Sequence, residues 1–127
     1  MLPETAPARK TVMVVDDTAS VRLLVTTILN TGPYQTLQAA DGIEALRIAS
    51  ANHIDLLITD VEMPRMGGLD LVKLLKERGA IQRCLVISGS SLDRVRELYH
   101  CDPDVHLLAK PFGAAQLLAL IRAILNT

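Results

Sequence analysis

At 127 residues the chain has the length of one domain. It is 50% apolar and 21% charged, ordinary for a soluble globular protein, and its net charge of −1 with scattered Lys and Arg does not fit the basic stripe of a nucleic-acid binder. Cys84 and Cys101 show no Cys-x-x-Cys or Cys/His ligand spacing, so they read as plain thiols in a reducing compartment rather than a metal or disulfide framework.

Residues 1–10 form a Pro- and Ala-rich polar lead-in with no apolar run of the secretory type. No stretch approaches the length of a membrane span, so the chain is expected to be cytoplasmic. Residues 11–15 read as a strand ending at Asp16-Asp17. Val21, Leu24, Val25, Ile28 and Leu29 then share one helical stripe, closed by Asn30-Thr31-Gly32-Pro33. Residues 34–39 read as a weaker strand. Asp41 and Glu44, at capping-box spacing, open a helix through Leu46 and Ala49.

Residues 55–59 make a third strand, whose all-apolar centre of Leu56, Leu57 and Ile58 implies a central place in the sheet. Asp60 follows it. Met63, Met66, Gly67 and Gly68 belong to a loop, with the two methionines packing it. A helix over 69–78 offers Leu71, Val72, Leu74 and Leu75 for burial and is capped by Gly79. Residues 83–87 are the fourth strand, leading to Ser88. The helix over 92–100 is polar, with Leu92, Val95, Leu98 and Tyr99 as its apolar positions, and Arg94 and Arg96 solvate its outer face. Residues 101–104 form a turn. Residues 105–109 are the fifth strand, ending at Lys110, and a last amphipathic helix covers 114–125.

Strands alternating with helices require parallel pairing through right-handed crossovers. The predicted fold is therefore a single doubly wound α/β domain, a five-stranded parallel sheet flanked by five helices. In such sheets ligands bind at the carboxyl ends of the strands. Asp16, Asp17, Asp60, Ser88 and Lys110 all fall there. Two carboxylates about 4 Å apart repel by roughly 4 kcal/mol at an effective dielectric near 20. Three of them call for a proton, a spread or a cation, and an all-oxygen set suits Mg²⁺. Lys110 and the Ser88 hydroxyl add what a phosphoryl group needs, and Asp60 is the natural nucleophile for it.

Taken singly these signals are bland. An acid pair before a helix suits the macrodipole, Ser-Gly makes a turn, and a lysine before proline is commonly solvated. His53, His100 and His106 share no ligand spacing and read as structural or solvated.

Together, Val-Val-Asp16-Asp17, Leu-Ile-Thr-Asp60-Val-Glu-Met-Pro-Arg-Met-Gly-Gly68, Val-Ile-Ser88-Gly and Leu-Ala-Lys110-Pro111-Phe112 resemble the response-regulator receiver domain over residues 11–125. The resemblance implies a flavodoxin-like strand order of 2-1-3-4-5 and a receiver spanning 11–127. It implies Asp60 as phosphoacceptor, and Mg²⁺ held by Asp17 directly, by Asp16 mainly through water, by Asp60 and by the main-chain carbonyl of Glu62. Lys110 would pair with the phosphoryl group through a loop with a cis Lys110–Pro111 bond, and Ser88 would be the switch hydroxyl. The phosphoryl donor would be a sensor histidine kinase or a histidine phosphotransfer protein, with an unidentified downstream protein reading the face of the fourth helix, fifth strand and last helix. Neither nucleic acid nor membrane is an expected partner. The broad apolar arc of the last helix leaves homodimerisation open.

The family's usual aromatic three residues before the lysine is Leu107 here, so readout is expected through segment 89–100 instead. That segment, with few core anchors, is expected to be among the less stable elements. Glu62 is expected to alter the lifetime of the acyl phosphate. The chain is expected to be a phosphoacceptor rather than an enzyme. A phosphate sink or relay, or a receiver belonging to a larger hybrid protein, is the alternative. An Asp-nucleophile phosphatase of the haloacid-dehalogenase class is remote, because that class places Asp-x-Asp after its first strand.

Overall fold

Five strands, β1 (Lys10–Val15), β2 (Tyr34–Ala39), β3 (Leu56–Asp60), β4 (Arg83–Ser88) and β5 (Val105–Ala109), pair in parallel in the order β2-β1-β3-β4-β5. They come from a computed structural model that describes residues 9–63, 65–89, 92–99 and 102–127. The helices α1 (Ala19–Leu29), α2 (Gly42–Ala51), α3 (Gly68–Glu77), α4 (Leu92–Tyr99) and α5 (Ala114–Leu125) alternate with the strands. This is the predicted doubly wound α/β sheet, in the predicted order.

Side-chain alternation along each strand divides the core. Val12, Val14, Leu56, Ile58, Leu85 and Ile87 face one side and pack with Val25, Ile28 and Leu29 of α1 and Leu117 and Ile121 of α5. Met13, Val15, Leu57, Cys84 and Val86 face the other, against Ala45 and Ala49, Leu71, Val72 and Leu75, and Val95 of α4. Both faces of the central strands are thus sealed, which is why their sequences read as unbroken apolar runs.

Two element ends differ from the sequence reading in ways that bear on function. Pairing of Asp60 with Ile87 carries β3 through the acid, so Asp60 is the last strand residue rather than the first loop residue. Ser88, paired with Ala109, likewise ends β4 from within. His100 falls outside the described residues, as do Cys101 and the serines at 90 and 91.

The expected stripe on α1 needs correction at Leu24, which is 52% exposed. At 3.6 residues per turn Leu24 lies about 100° from Val25. The helix is rolled toward Val25, Leu29 and Thr26, burying the threonine in place of the leucine. The cost of a buried hydroxyl is met within the helix: Thr26 Oγ1 donates to the carbonyls of Arg22 and Leu23 at 2.9 and 3.2 Å.

Two helix ends follow their sequence signals. Asp41 Oδ1 accepts the Glu44 amide at 2.8 Å at the start of α2. Gly79, at φ 68°, takes the left-handed position after α3, where a side chain would be strained. Among the described residues no helix is long and apolar enough to cross a membrane.

Candidate functional site

The chain order reverses between β1 and β3, the position at which doubly wound sheets open a crevice at their carboxyl rim. Register fixes what stands there. Val15 lies opposite Thr59, so Asp16, the next residue, stands beside Asp60. Ser88 lies opposite Ala109, so Lys110 follows directly beyond, its amide donating to the Ser88 carbonyl at 3.0 Å.

Carboxylate oxygens of Asp16, Asp17 and Asp60 all lie within 4.8 Å of one another. Lys110 Nζ sits 3.5 Å from Asp60 Oδ2 and 3.8 Å from Asp16 Oδ2. Ser88 is buried at the same rim. The peptide bond between Lys110 and Pro111 is cis. The structure thus brings five predicted side chains, Asp16, Asp17, Asp60, Ser88 and Lys110, to one rim. The Glu62 side chain is exposed on its flank, beside a recess lined also by Val61, Gly67, Leu69, Asp70 and Arg94.

Electrostatics within the pocket are unfavourable to its own charges. Burial pushes the Asp16 carboxyl above its usual 3.8, and the charges of Asp60 and Asp17 push the same way. The Thr18 amide, 2.9 Å from Asp16 Oδ1, and the Lys110 ammonium oppose that rise without cancelling it. Lys110, paired with two of the three clustered carboxylates, leaves a net negative, all-oxygen concavity among the described side chains. That donor set fits a hard divalent cation.

Arg22 and Thr59, which sequence reasoning passed over, and Gly68, which it read as a loop residue and which instead opens α3, hold this arrangement in place. Arg22 Nη1 of α1 donates to the main-chain carbonyl of Asp16. Thr59, fully buried, donates from Oγ1 to the Asp60 carbonyl at 3.0 Å. Gly68 opens α3 directly over the same carbonyl: a Cβ there would stand 2.0 Å from the Asp60 oxygen. Its amide donates to the Val61 carbonyl at 2.9 Å, closing the base of the loop after β3. Only Gly68 carried a sequence signal, as the second of two adjacent glycines before an apolar run. The side-chain bonds of Arg22 and Thr59 carry none.

Leu107 is half-buried and packs against the cluster that includes Val95 of α4. Arg96 pairs with Asp93 at 3.4 Å on an exposed face, as a solvated helix surface would, whereas Arg94 borders the recess beside Glu62. His53 is exposed and pairs with Asp55 at 2.9 Å. His106 is half-buried, and burial lowers its pKa.

Comparison with known proteins adds identity to geometry. Residues 12–122 match the family model described as response regulator receiver domain. The chain is 31% identical over 107 residues to sporulation initiation phosphotransferase F of Bacillus subtilis, covering 84% of this chain and 86% of that protein. It is 41% identical over 78 residues to the sensor protein EvgS of Escherichia coli, covering 61% of this chain but only 6% of that much longer protein. Among solved structures, chemotaxis protein CheY4 of Vibrio cholerae superposes with a TM-score of 0.85 at 30% identity, covering 93% of this chain and all of the other.

Proposed function

Because the chain belongs to the response regulator receiver domain family, we propose that it accepts a phosphoryl group on Asp60 from a histidine kinase or histidine phosphotransfer protein. An Asp60 carboxylate oxygen attacks phosphorus, a P–O bond forms, and the P–N bond to the donor imidazole breaks with its electron pair going to nitrogen. The Lys110 ammonium, 3.5 Å from Asp60 Oδ2, stands where it would neutralise charge on the transferring oxygens. The Ser88 hydroxyl would donate to another of them. Asp16, Asp17, Asp60 and the Glu62 carbonyl would hold Mg²⁺, which when bound offsets the negative charge gathered between acceptor and donor. Glu62, exposed beside the pocket, would set the lifetime of the acyl phosphate through the approaching water. This domain's role is to be phosphorylated and read by a partner protein, not to turn over a metabolite.

The observation that carries the reading is the meeting of one ammonium with three carboxylates at the switch point of the sheet. Intact-mass spectrometry after incubation with acetyl phosphate and Mg²⁺ tests it. The expected result is one added phosphoryl group, labile to base, absent in Asp60→Asn and in EDTA. Its persistence in Asp60→Asn, or its failure to arise in the wild type, would refute the assignment.

The near full-length likeness to a protein named as a phosphotransferase favours one refinement. The chain would act as a relay, passing its phosphoryl group onward to a histidine of a second partner. Transfer of label from Asp60 to a purified histidine phosphotransfer protein, faster than hydrolysis, would distinguish a relay from a terminal switch.

A further inference from the structure

The loop that follows Asp60 is held at two points. At its base, the Gly68 amide donates to the Val61 carbonyl and the helix start packs directly on Asp60. At its tip, the Arg65 guanidinium donates to Asp41 Oδ2, the same carboxylate whose other oxygen caps α2 through the Glu44 amide. Met66 then lies so close to Gly42 that a Cβ there would approach it to 2.7 Å. The loop is therefore clamped to the start of α2 by one ion pair and one apolar contact.

The backbone at the clamp is the informative detail. Arg65 has φ 68°, the left-handed region in which an L-residue with a side chain is disfavoured and glycine is not. A side chain kept at such a position is held there by what it contacts. Here the Arg65 side chain is 65% exposed while its partner carboxylate is 10% exposed, so the contact anchors the loop and does not fill the core. Between base and tip lies Glu62, whose main-chain carbonyl is assigned above to the divalent cation. An unanchored segment would have to be ordered each time the cation binds, and ordering costs affinity.

We propose that Arg65 is a positioning residue: its ion pair with Asp41 fixes the loop carrying Glu62 and thereby raises the affinity of the acidic pocket for Mg²⁺. This rests on the reading of that pocket as a cation and phosphoryl site. Arg65 touches neither cation nor phosphoryl group and acts through the loop alone.

The test titrates Mg²⁺ into wild type, Arg65→Gly, Arg65→Lys and Asp41→Asn by calorimetry, alongside thermal unfolding in EDTA. Glycine removes the guanidinium and the backbone penalty together, so the EDTA melting temperature is expected to hold or rise. The Mg²⁺ dissociation constant is expected to weaken roughly three- to tenfold, the scale of one charge-assisted contact. Lysine should restore part of the affinity. Asp41→Asn keeps an acceptor for Glu44 and should weaken Mg²⁺ in the same direction, with no further loss when combined with Arg65→Gly. In Arg65→Gly, weaker Mg²⁺ affinity with the EDTA melting temperature held or raised would support a positioning role. Mg²⁺ affinity in Arg65→Gly equal to wild type, or affinity and EDTA stability falling in step, would overturn it. A wild-type protein that binds no Mg²⁺ would instead sink the pocket reading itself, and the role of Arg65 with it.

Discussion

Replacing Asp16 by asparagine should make the cation-free protein more stable, although it removes a charged residue from the functional site. Asp16 lies no more than 4.8 Å from oxygens of both Asp17 and Asp60. Each repulsion at that distance costs at least about 3.5 kcal/mol at an effective dielectric near 20. Lys110, at 3.8 Å, offsets about 4.4 kcal/mol of this on the same scale. Burial of Asp16 adds to the cost, the direction already recorded in its raised pKa. Asp17 is exposed and the Lys110 side chain is 32% exposed, so water screens these interactions. A net gain of about 1–2 kcal/mol remains, which for a domain of this size is roughly 3–8 °C in melting temperature. Asparagine keeps an oxygen to accept the Thr18 amide, and Lys110 keeps Asp60, so no buried group is orphaned.

The assay is thermal unfolding followed by circular dichroism in EDTA at neutral pH, repeated in saturating Mg²⁺. In EDTA the variant should melt above wild type. In Mg²⁺ the order should reverse, because a cation bound at a hundred times its dissociation constant adds about 2.7 kcal/mol to a folded state with an intact site. The advantage should also vanish in acid. An acid whose folded pKa is raised weakens the fold as pH rises from its unfolded value near 3.8 through the folded one, so below about pH 4 no penalty is left to remove. A variant that melts below wild type in EDTA at neutral pH would refute the account of the pocket as a store of uncompensated charge.

Gly68→Ala should cost about 1–3 kcal/mol or more in urea unfolding, and should slow phosphorylation of Asp60 as well, since the new Cβ would displace the Asp60 carbonyl 2.0 Å away; a neutral substitution would show that α3 can shift freely. Burial pushes the Cys84 thiol up to about 12, so in native protein at neutral pH it should resist iodoacetamide and become reactive only on unfolding, as mapped on its own peptide by mass spectrometry; native alkylation at a free-thiol rate would contradict the packing of β4. Burial pushes the Asp55 carboxyl up, but the Thr11 amide at 2.7 Å and His53 outweigh this and hold it below 3.8. Its contribution is therefore complete above that value and is lost as pH falls through the lower folded value; Asp55→Asn should flatten the acid limb of the stability profile, and an unchanged limb would remove Asp55 from acid unfolding.

Much of the architecture is written locally. Unbroken apolar runs at 12–15, 56–58 and 84–87, separated by helical stripes, can bury both faces only as central parallel strands, and that alternation already implies the sheet. Each run ends in Asp16, Asp60 or Ser88, so parallel pairing delivers them to one rim without further information. The cap at Asp41 and the left-handed turn at Gly79 are equally local, since each depends on neighbours within a few residues.

What the chain does with distant residues was decided only by packing. The roll of α1 that exposes Leu24 and buries Thr26 depends on the neighbours it packs against, and helical periodicity says nothing of those. The pairing of Arg65 with Asp41, 24 residues apart, the grip of Arg22 on the Asp16 carbonyl, and the approach of Gly68 to Asp60 have the same origin. Hydrophobic periods of 2 and 3.6 residues choose which faces turn inward. The distances that make carboxylates, an ammonium and a clamped loop into one site follow from how those faces come to rest on each other.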